Sequence, residues 1–150
     1  MIPTIADILV PERTLWGAQV TSKKRLIEFL SQFLSQQITD SSADEIYDKL
    51  IAREKLGSTG IGEGIAIPHC RLAQCQQTTG VLFRLEKAVD YDAIDHKPVD
   101  LVFALLVPEE ATNEHLQTLS MLAKKFNEAT FRESLRNSTD NASLYQAATV

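Results

Sequence analysis

Residues 55–72 read KLGSTGIGEGIAIPHCRL and hold four of the six glycines of the chain and one of its three histidines, His69. Glycine permits positive φ and close backbone approach, and several backbone amides that point one way bind an anion. The alternation in GIAI predicts a strand with Ile65 and Ile67 on one face. Pro68 has no backbone N–H to donate and holds its φ at about −65°. The stretch therefore predicts a histidine at the mouth of a sheet, beside backbone amides, where it is suited to carry a phosphoryl group.

The glycine pattern GSTGIGEG matches no common nucleotide-binding motif. It lacks the Gly-Lys-Ser/Thr of a P-loop, and no helix follows it as in a dinucleotide fingerprint. Ser58, Thr59 and Gly60 are candidate phosphate-binding residues, through the two hydroxyls and the loop amides. A plain tight turn, in which Ser58 and Thr59 only cap the turn, is the alternative interpretation.

Length and charge limit the class of protein. A chain of 150 residues with 44% hydrophobic and 23% charged residues fits a single globular domain with a real core. The net charge of −5 argues against a nucleic-acid-binding face. The two cysteines, Cys70 and Cys75, do not suggest a disulfide framework, and reduced thiols are expected. Without an apolar run of ~18 residues or a signal-peptide pattern, the sequence predicts a cytoplasmic protein that is not embedded in a membrane.

The first half of the chain predicts mostly helix before the glycine stretch. Residues 4–9 predict a helical turn and residues 14–20 a strand. Residues 21–38 predict a core-facing helix, capped by Thr21 or Ser22. Ser42 and Glu45 match a capping box for a second helix that should stop at Gly57. Arg53 would then lie in the last turn, beside the candidate anion site. The alternative interpretation is that this arginine only interacts favourably with the helix dipole, as is usual near a helix C-terminus.

The second half predicts two strands and three helices. Residues 81–85 predict a strand after Gly80, and residues 86–98 a polar connection in which His96 is solvated. The apolar run 99–107 predicts a central strand buried on both faces. Helices are predicted over 112–126, 130–137 and 140–147. The fold expected is a three-layer α/β/α domain spanning residues 1–150, with a mixed sheet of about four or five strands.

His115 falls in the first turn of the predicted helix 112–126. It shares a face with Leu119 and Leu122, so it should point towards the sheet near the carboxyl end of the central strand. Open α/β sheets place their sites there, and a helix N-terminus favours an anion. A half-buried core histidine is the alternative interpretation.

Three segments together resemble one protein family. They are AREKLGSTGIGEGIAIPHCRL (52–72), YDAIDHKPVDLVFALLVP (91–108) and HLQTLSMLAKKF (115–126). In order and spacing they resemble the mannitol/fructose-type enzyme IIA domains of the bacterial phosphotransferase system, and most closely its nitrogen-regulatory branch. The resemblance covers nearly the whole chain, and the Pro-His motif behind the glycine stretch is specific to the family.

The resemblance implies roles for three residues. It implies that His69 is the phosphorylated nucleophile and that Arg53 and His115 flank the phosphohistidine. It implies an upstream HPr-type phosphocarrier protein, downstream regulatory targets in nitrogen and potassium control, and no metal or other cofactor. One residue departs from the family pattern, because Cys70 stands where related sequences commonly have glycine; its side chain is expected either to narrow the approach of a partner or to place a thiol beside the site.

Three other interpretations remain open from the sequence. The first is a sugar-specific (fructose/mannitol-type) enzyme IIA subunit of a transporter, with the same chemistry and a different acceptor. The second is a protein-binding module whose His69 is never phosphorylated. The third is a metal site formed by His69, Cys70, Cys75 and His115, although their spacing does not match the usual zinc patterns.

Overall fold

The apolar segment VDLVFALLVP forms the central strand of a mixed six-stranded sheet. The computed structural model describes residues 3–37, 41–111 and 113–150. The elements in chain order are α1 (Ile5–Ile8), β1 (Thr14–Ala18), α2 (Lys23–Gln37), α3 (Ala43–Glu54), β2 (Gly60–Gly62), β3 (Ile65–Ala66), β4 (His69–Leu72), β5 (Thr79–Val89), β6 (Val99–Pro108), α4 (Asn113–Phe126), α5 (Ala129–Arg136) and α6 (Asn141–Thr149), with a 3-10 turn at Pro11–Arg13.

The strand order is β1-β5-β6-β3-β2, and β4 also pairs with β6. The β5 strand is antiparallel to β6, whereas β3 and β4 run parallel to β6, one after the other along the same edge. The β1 strand is parallel to β5. Residues 101–107 of β6 are all buried, because helices cover both faces of the sheet. The prediction of a central strand buried on both faces is therefore confirmed.

Alternate side chains of β6 supply two separate cores. Val102, Ala104 and Leu106 pack with the helices α2 and α3 on one face. Phe103 and Leu105 pack on the other face with α1, α4, α5 and α6. The predicted three-layer arrangement of helix, mixed sheet and helix in one domain is confirmed.

The ends of β5 and α3 differ from the sequence prediction. The β5 strand continues to Val89, which pairs with Val99 beyond an irregularity in the register, so residues 86–89 are not a connection. The side chains at 86–88 are exposed, and the charged Glu86 and Lys87 are typical of a loop. Helix α3 ends at Glu54, and Gly57 lies outside it with φ of 151°. The predicted limits Ile38 and Thr112 of the other two helices lie outside the described residues.

The sequence also missed the short strands β2 and β4. His69 does not follow the end of the strand formed by GIAI; it opens β4, which pairs with β6 from Leu105 onward. Ile67 and Pro68 separate β3 from β4, so the glycine stretch contributes two short pieces to the same sheet edge. The predicted solvated position of His96 is confirmed. In the described part of the chain, the helices are too short or too polar to span a bilayer.

Candidate functional site

The His69 ring is held by the backbone two residues before it. Its Nδ1 lies 2.8 Å from the carbonyl oxygen of Ile67. A carbonyl oxygen can only accept a hydrogen bond, so Nδ1 carries the proton in the neutral ring. The Nε2 atom then holds the free lone pair. The break at Pro68 places Ile67 between the strands β3 and β4, where its carbonyl is within reach of the imidazole.

The charge state of His69 suits a nucleophile. Burial of this half-buried side chain lowers its pKa from the ordinary value of 6.5. The backbone hydrogen bond to Ile67 acts in the opposite direction, the positive charge of Arg53 lowers the pKa further, and the negative charge of Glu54 raises it. The net effect is a lowered pKa, which keeps the ring neutral and nucleophilic around neutral pH.

His115 stands opposite His69, in the first turn of α4. The two ring centroids are 5.6 Å apart and the ring planes are inclined by 50°. Burial lowers the pKa of His115, and the nearby groups His69, Arg71 and Arg53 lower it further. Its buried Nδ1 has no hydrogen-bond partner among the residues that the structure describes. A buried polar nitrogen without a partner is costly, so a ligand that this atom could reach by a turn of the ring would relieve that cost.

Arg53 lies in the last turn of α3 and supplies a positive charge to the same site. Its Nη1 donates to the carbonyl oxygen of Gly57, 2.9 Å away, at the start of the glycine loop. It is near enough to lower the pKa of both His69 and His115. The structure thus brings together the three residues to which the sequence analysis gave catalytic roles.

The polar groups of Ser58, Thr59 and Gly60 are engaged within the protein. The Ser58 hydroxyl donates to the carbonyl of Tyr91 and accepts from the amide of Gly60, both at 3.1 Å. The Thr59 amide donates to Oε1 of Glu54 at 3.1 Å, and the Thr59 hydroxyl contacts Oε2 of Glu54 and the Tyr91 hydroxyl. These bonds shape the loop, and phosphate binding by these three residues stays a prediction.

Sequence reasoning missed Glu54. Its side chain is only 5% exposed and pairs with Lys23, the first residue of α2, at 3.0 Å. The Lys23 ammonium also lies 4.5 Å from the centre of the Tyr91 ring. One signal was visible in the sequence, because a carboxylate in the last turn of a helix opposes the helix dipole and needs another reason to be there.

Cys70 and Cys75 lie away from the two site histidines. Both thiols belong to the core between the sheet and the helices α2 and α3, and burial raises the pKa of Cys70 to about 12. The alternation along β4 buries Cys70 and leaves His69 half-buried, beside α4. The Cys70 side chain therefore does not line the approach to the His69 ring. Across the described residues, no group of three or more histidine, cysteine or acidic side chains is placed to hold a metal ion.

The family model for "Phosphoenolpyruvate-dependent sugar phosphotransferase system, EIIA 2" matches residues 7–148. The chain therefore belongs to the EIIA 2 family of the phosphoenolpyruvate-dependent sugar phosphotransferase system. Within this family, it is similar to proteins named nitrogen regulatory protein. The protein from Pseudomonas aeruginosa is 45% identical over 95% of this chain and 92% of its own length. The protein from Escherichia coli K12 is 40% identical over 97% of this chain and 89% of its own length.

Solved structures agree with this assignment. The crystal structure of nitrogen regulatory protein IIA-Ntr from Neisseria meningitidis has a TM-score of 0.90 and 44% identity, covering 97% of this chain and 99% of that one. The structure of IIA mannitol from Escherichia coli has a TM-score of 0.76 and 22% identity, covering 93% and 98% of the two chains. At that identity the second match supports the fold alone.

Proposed function

We propose that this protein is a regulatory phosphocarrier that accepts a phosphoryl group on Nε2 of His69 from an HPr-type phosphohistidine carrier. The observation that carries the proposal is the hydrogen bond from His69 Nδ1 to the Ile67 carbonyl at 2.8 Å. That bond leaves the Nε2 lone pair free for attack. Neither a metal nor another cofactor is required, because a phosphohistidine is already an activated donor.

The reaction is an in-line exchange between two imidazoles. The Nε2 lone pair of His69 forms a bond to phosphorus while the bond from phosphorus to the donor's ring nitrogen breaks, and that nitrogen keeps the electron pair. The His69 ring gains positive charge as the new bond forms. The Nδ1 proton remains shared with the Ile67 carbonyl, which stabilises that charge. Catalysis then consists chiefly of positioning and charge stabilisation.

Arg53 and His115 complete the site in this proposal. The planar guanidinium of Arg53 binds the equatorial phosphoryl oxygens as a charged donor. His115 turns its ring to donate from Nδ1, which is buried and has no partner in the described part of the chain. For Ser58, Thr59 and Gly60 to bind the phosphoryl group as well, each must exchange an internal bond for one to the ligand.

The output of the carrier is control of partner proteins. Phosphorylation adds about 1.5 to 2 negative charges to one surface. That charge would repel one partner and favour another. The names of the nitrogen regulatory proteins from Pseudomonas aeruginosa and Escherichia coli support nitrogen control as the setting. Potassium control follows only from the family resemblance and is part of the same proposal.

The test is intact mass after incubation with a phosphorylated HPr-type carrier. We expect one acid-labile phosphoryl increment on the wild type and none on His69→Gln. The matched control is His96→Gln, since His96 is an exposed loop histidine and its loss should leave the increment unchanged. No increment on the wild type with several such carriers, or an increment on His69→Gln, would overturn the proposal.

A second experiment distinguishes a regulatory phosphocarrier from a transporter subunit. The labelled protein is mixed with membranes and fructose or mannitol. Retention of the label on the protein is expected. Transfer of the label to the sugar would identify a sugar-specific enzyme IIA subunit instead.

A further inference from the structure

The carboxylate of Glu54 is buried at the end of α3 and binds the glycine loop directly. It accepts from the Thr59 amide at 3.1 Å and also contacts the Thr59 hydroxyl. Lys23, on the neighbouring helix α2, pairs with Oε1 at 3.0 Å. A carboxylate that is 5% exposed is stable only with such partners, so these contacts form one unit.

A chain of hydrogen bonds runs from this carboxylate to the His69 ring. The Thr59 carbonyl accepts from the Ile67 amide at 3.0 Å. The Ile67 carbonyl in turn accepts from Nδ1 of His69 at 2.8 Å. Glu54 therefore holds Thr59, Thr59 holds Ile67, and Ile67 orients the imidazole. Thr59 is 4% exposed, so water does not replace these contacts easily.

We propose that Glu54 is a positioning residue for phosphoryl transfer: it fixes the glycine loop and, through Thr59 and Ile67, holds His69 with its proton on Nδ1 and its lone pair on Nε2. The inference rests on the proposed function for its effect on rate, but its effect on the His69 ring exists without phosphorylation. Glu54 does not bind the phosphoryl group itself, because a carboxylate would repel it. Lys23 neutralises that repulsion while Glu54 holds the loop.

The test compares Glu54→Ala and Glu54→Gln with the wild type. The control is Asp48→Asn, which removes one negative charge from an exposed position on the same helix. Two quantities are measured: the tautomer of His69 in the unphosphorylated protein, by ¹⁵N chemical shifts at about pH 8.5 where imidazoles are neutral, and the single-turnover rate of phosphorylation by the carrier. Circular dichroism checks that each variant is folded.

We expect Glu54→Ala to lose the preference for the Nδ1–H tautomer and to slow phosphorylation about 10- to 100-fold, as removal of partners that orient a histidine commonly does. Glu54→Gln keeps an oxygen that can accept from the Thr59 amide, so it should retain more of both properties. Asp48→Asn should match the wild type. If Glu54→Ala does not fold, Glu54→Gln still tests the positioning role, because a measurable tautomer shift and a slower rate are expected for that variant as well.

The two proposals fail in different ways. If the wild type accepts no phosphoryl group, the proposed function fails, and a tautomer shift in the Glu54 variants would still support the positioning role. If the wild type is phosphorylated and the variants keep both its rate and its tautomer, the positioning role is wrong. A slower rate with an unchanged tautomer would also overturn it, because the hydrogen-bond chain would then not be the route of the effect.

Discussion

Replacing Lys23 with methionine tests the buried ion pair that supports the site. Methionine keeps an unbranched apolar stem beside Tyr91 and removes only the ammonium. Removing one partner of a buried pair costs about 3–5 kcal/mol. We expect a smaller cost here, about 2–3 kcal/mol including the lost cation–π contact, because the Lys23 side chain is 22% exposed and Glu54 keeps its bonds to Thr59. At about 2–4 °C per kcal/mol, the melting temperature should fall by ~4–12 °C.

A double-mutant cycle makes this prediction specific. In the Glu54→Gln background, Lys23→Met leaves no carboxylate without its counter-charge, so it should cost only about 1 kcal/mol, chiefly the contact with the Tyr91 ring. The assay is urea unfolding of the four proteins of the cycle. Lys24→Met, at the exposed neighbouring position, is the control and should change the free energy of unfolding by less than about 0.5 kcal/mol. An equal cost of Lys23→Met in both backgrounds would refute the reasoning.

Three further predictions concern the histidines and the glycine loop. Because burial lowers the pKa of His69 and His115 from 6.5, the unfolded chain binds more protons as the pH falls through that value. In urea titrations, the free energy of unfolding should therefore keep its full value above pH 6.5 and decrease below it. An increase on acidification would contradict this. His115→Gln should slow phosphorylation about 100-fold in single-turnover experiments, as loss of one charge-stabilising donor does, and an unchanged rate would contradict its role. Gly60→Ala should destabilise the fold by about 1–3 kcal/mol in thermal unfolding, because its Cβ would lie 2.9 Å from the backbone and Cβ of Ala93; a cost near zero would show that the 91–94 segment yields.

The parts of the fold with long, regular patterns were predictable. The apolar run of β6 and the helical spacing in α2, α3 and α4 located the layers. The strands β2 and β4 have three and four residues and are too short for a periodic signal, whereas the alternation in GIAI did indicate β3. They exist because they pair with β6 or with one another. The exposed residues 86–88 have no apolar alternation that would predict a strand. The β5 strand extends to Val89 because Val89 pairs with Val99 of β6.

The three residues predicted for the site lie together in the structure, and their roles stay predictions; the contacts that hold them could not be predicted. Motif and helix position indicated His69, Arg53 and His115, and the structure places them together. The role of Glu54 depends on contacts with Lys23 and with the glycine loop, which join separate parts of the chain. The carbonyl of Ile67 determines which ring nitrogen of His69 bears the proton. Every residue type has this carbonyl, so the sequence could not indicate the contact.

That backbone acceptor has a consequence for genetics. Every amino acid at position 67 offers the same carbonyl, so no substitution there removes the group that accepts from Nδ1 of His69. A saturation screen for loss of phosphorylation would return substitutions at His69 and at side chains that hold the loop, and it would return substitutions at the buried Ile67 through lost packing, not through loss of the carbonyl. The acceptor that leaves the lone pair on Nε2 of His69 is thus inherited with the course of the backbone rather than with any one side chain.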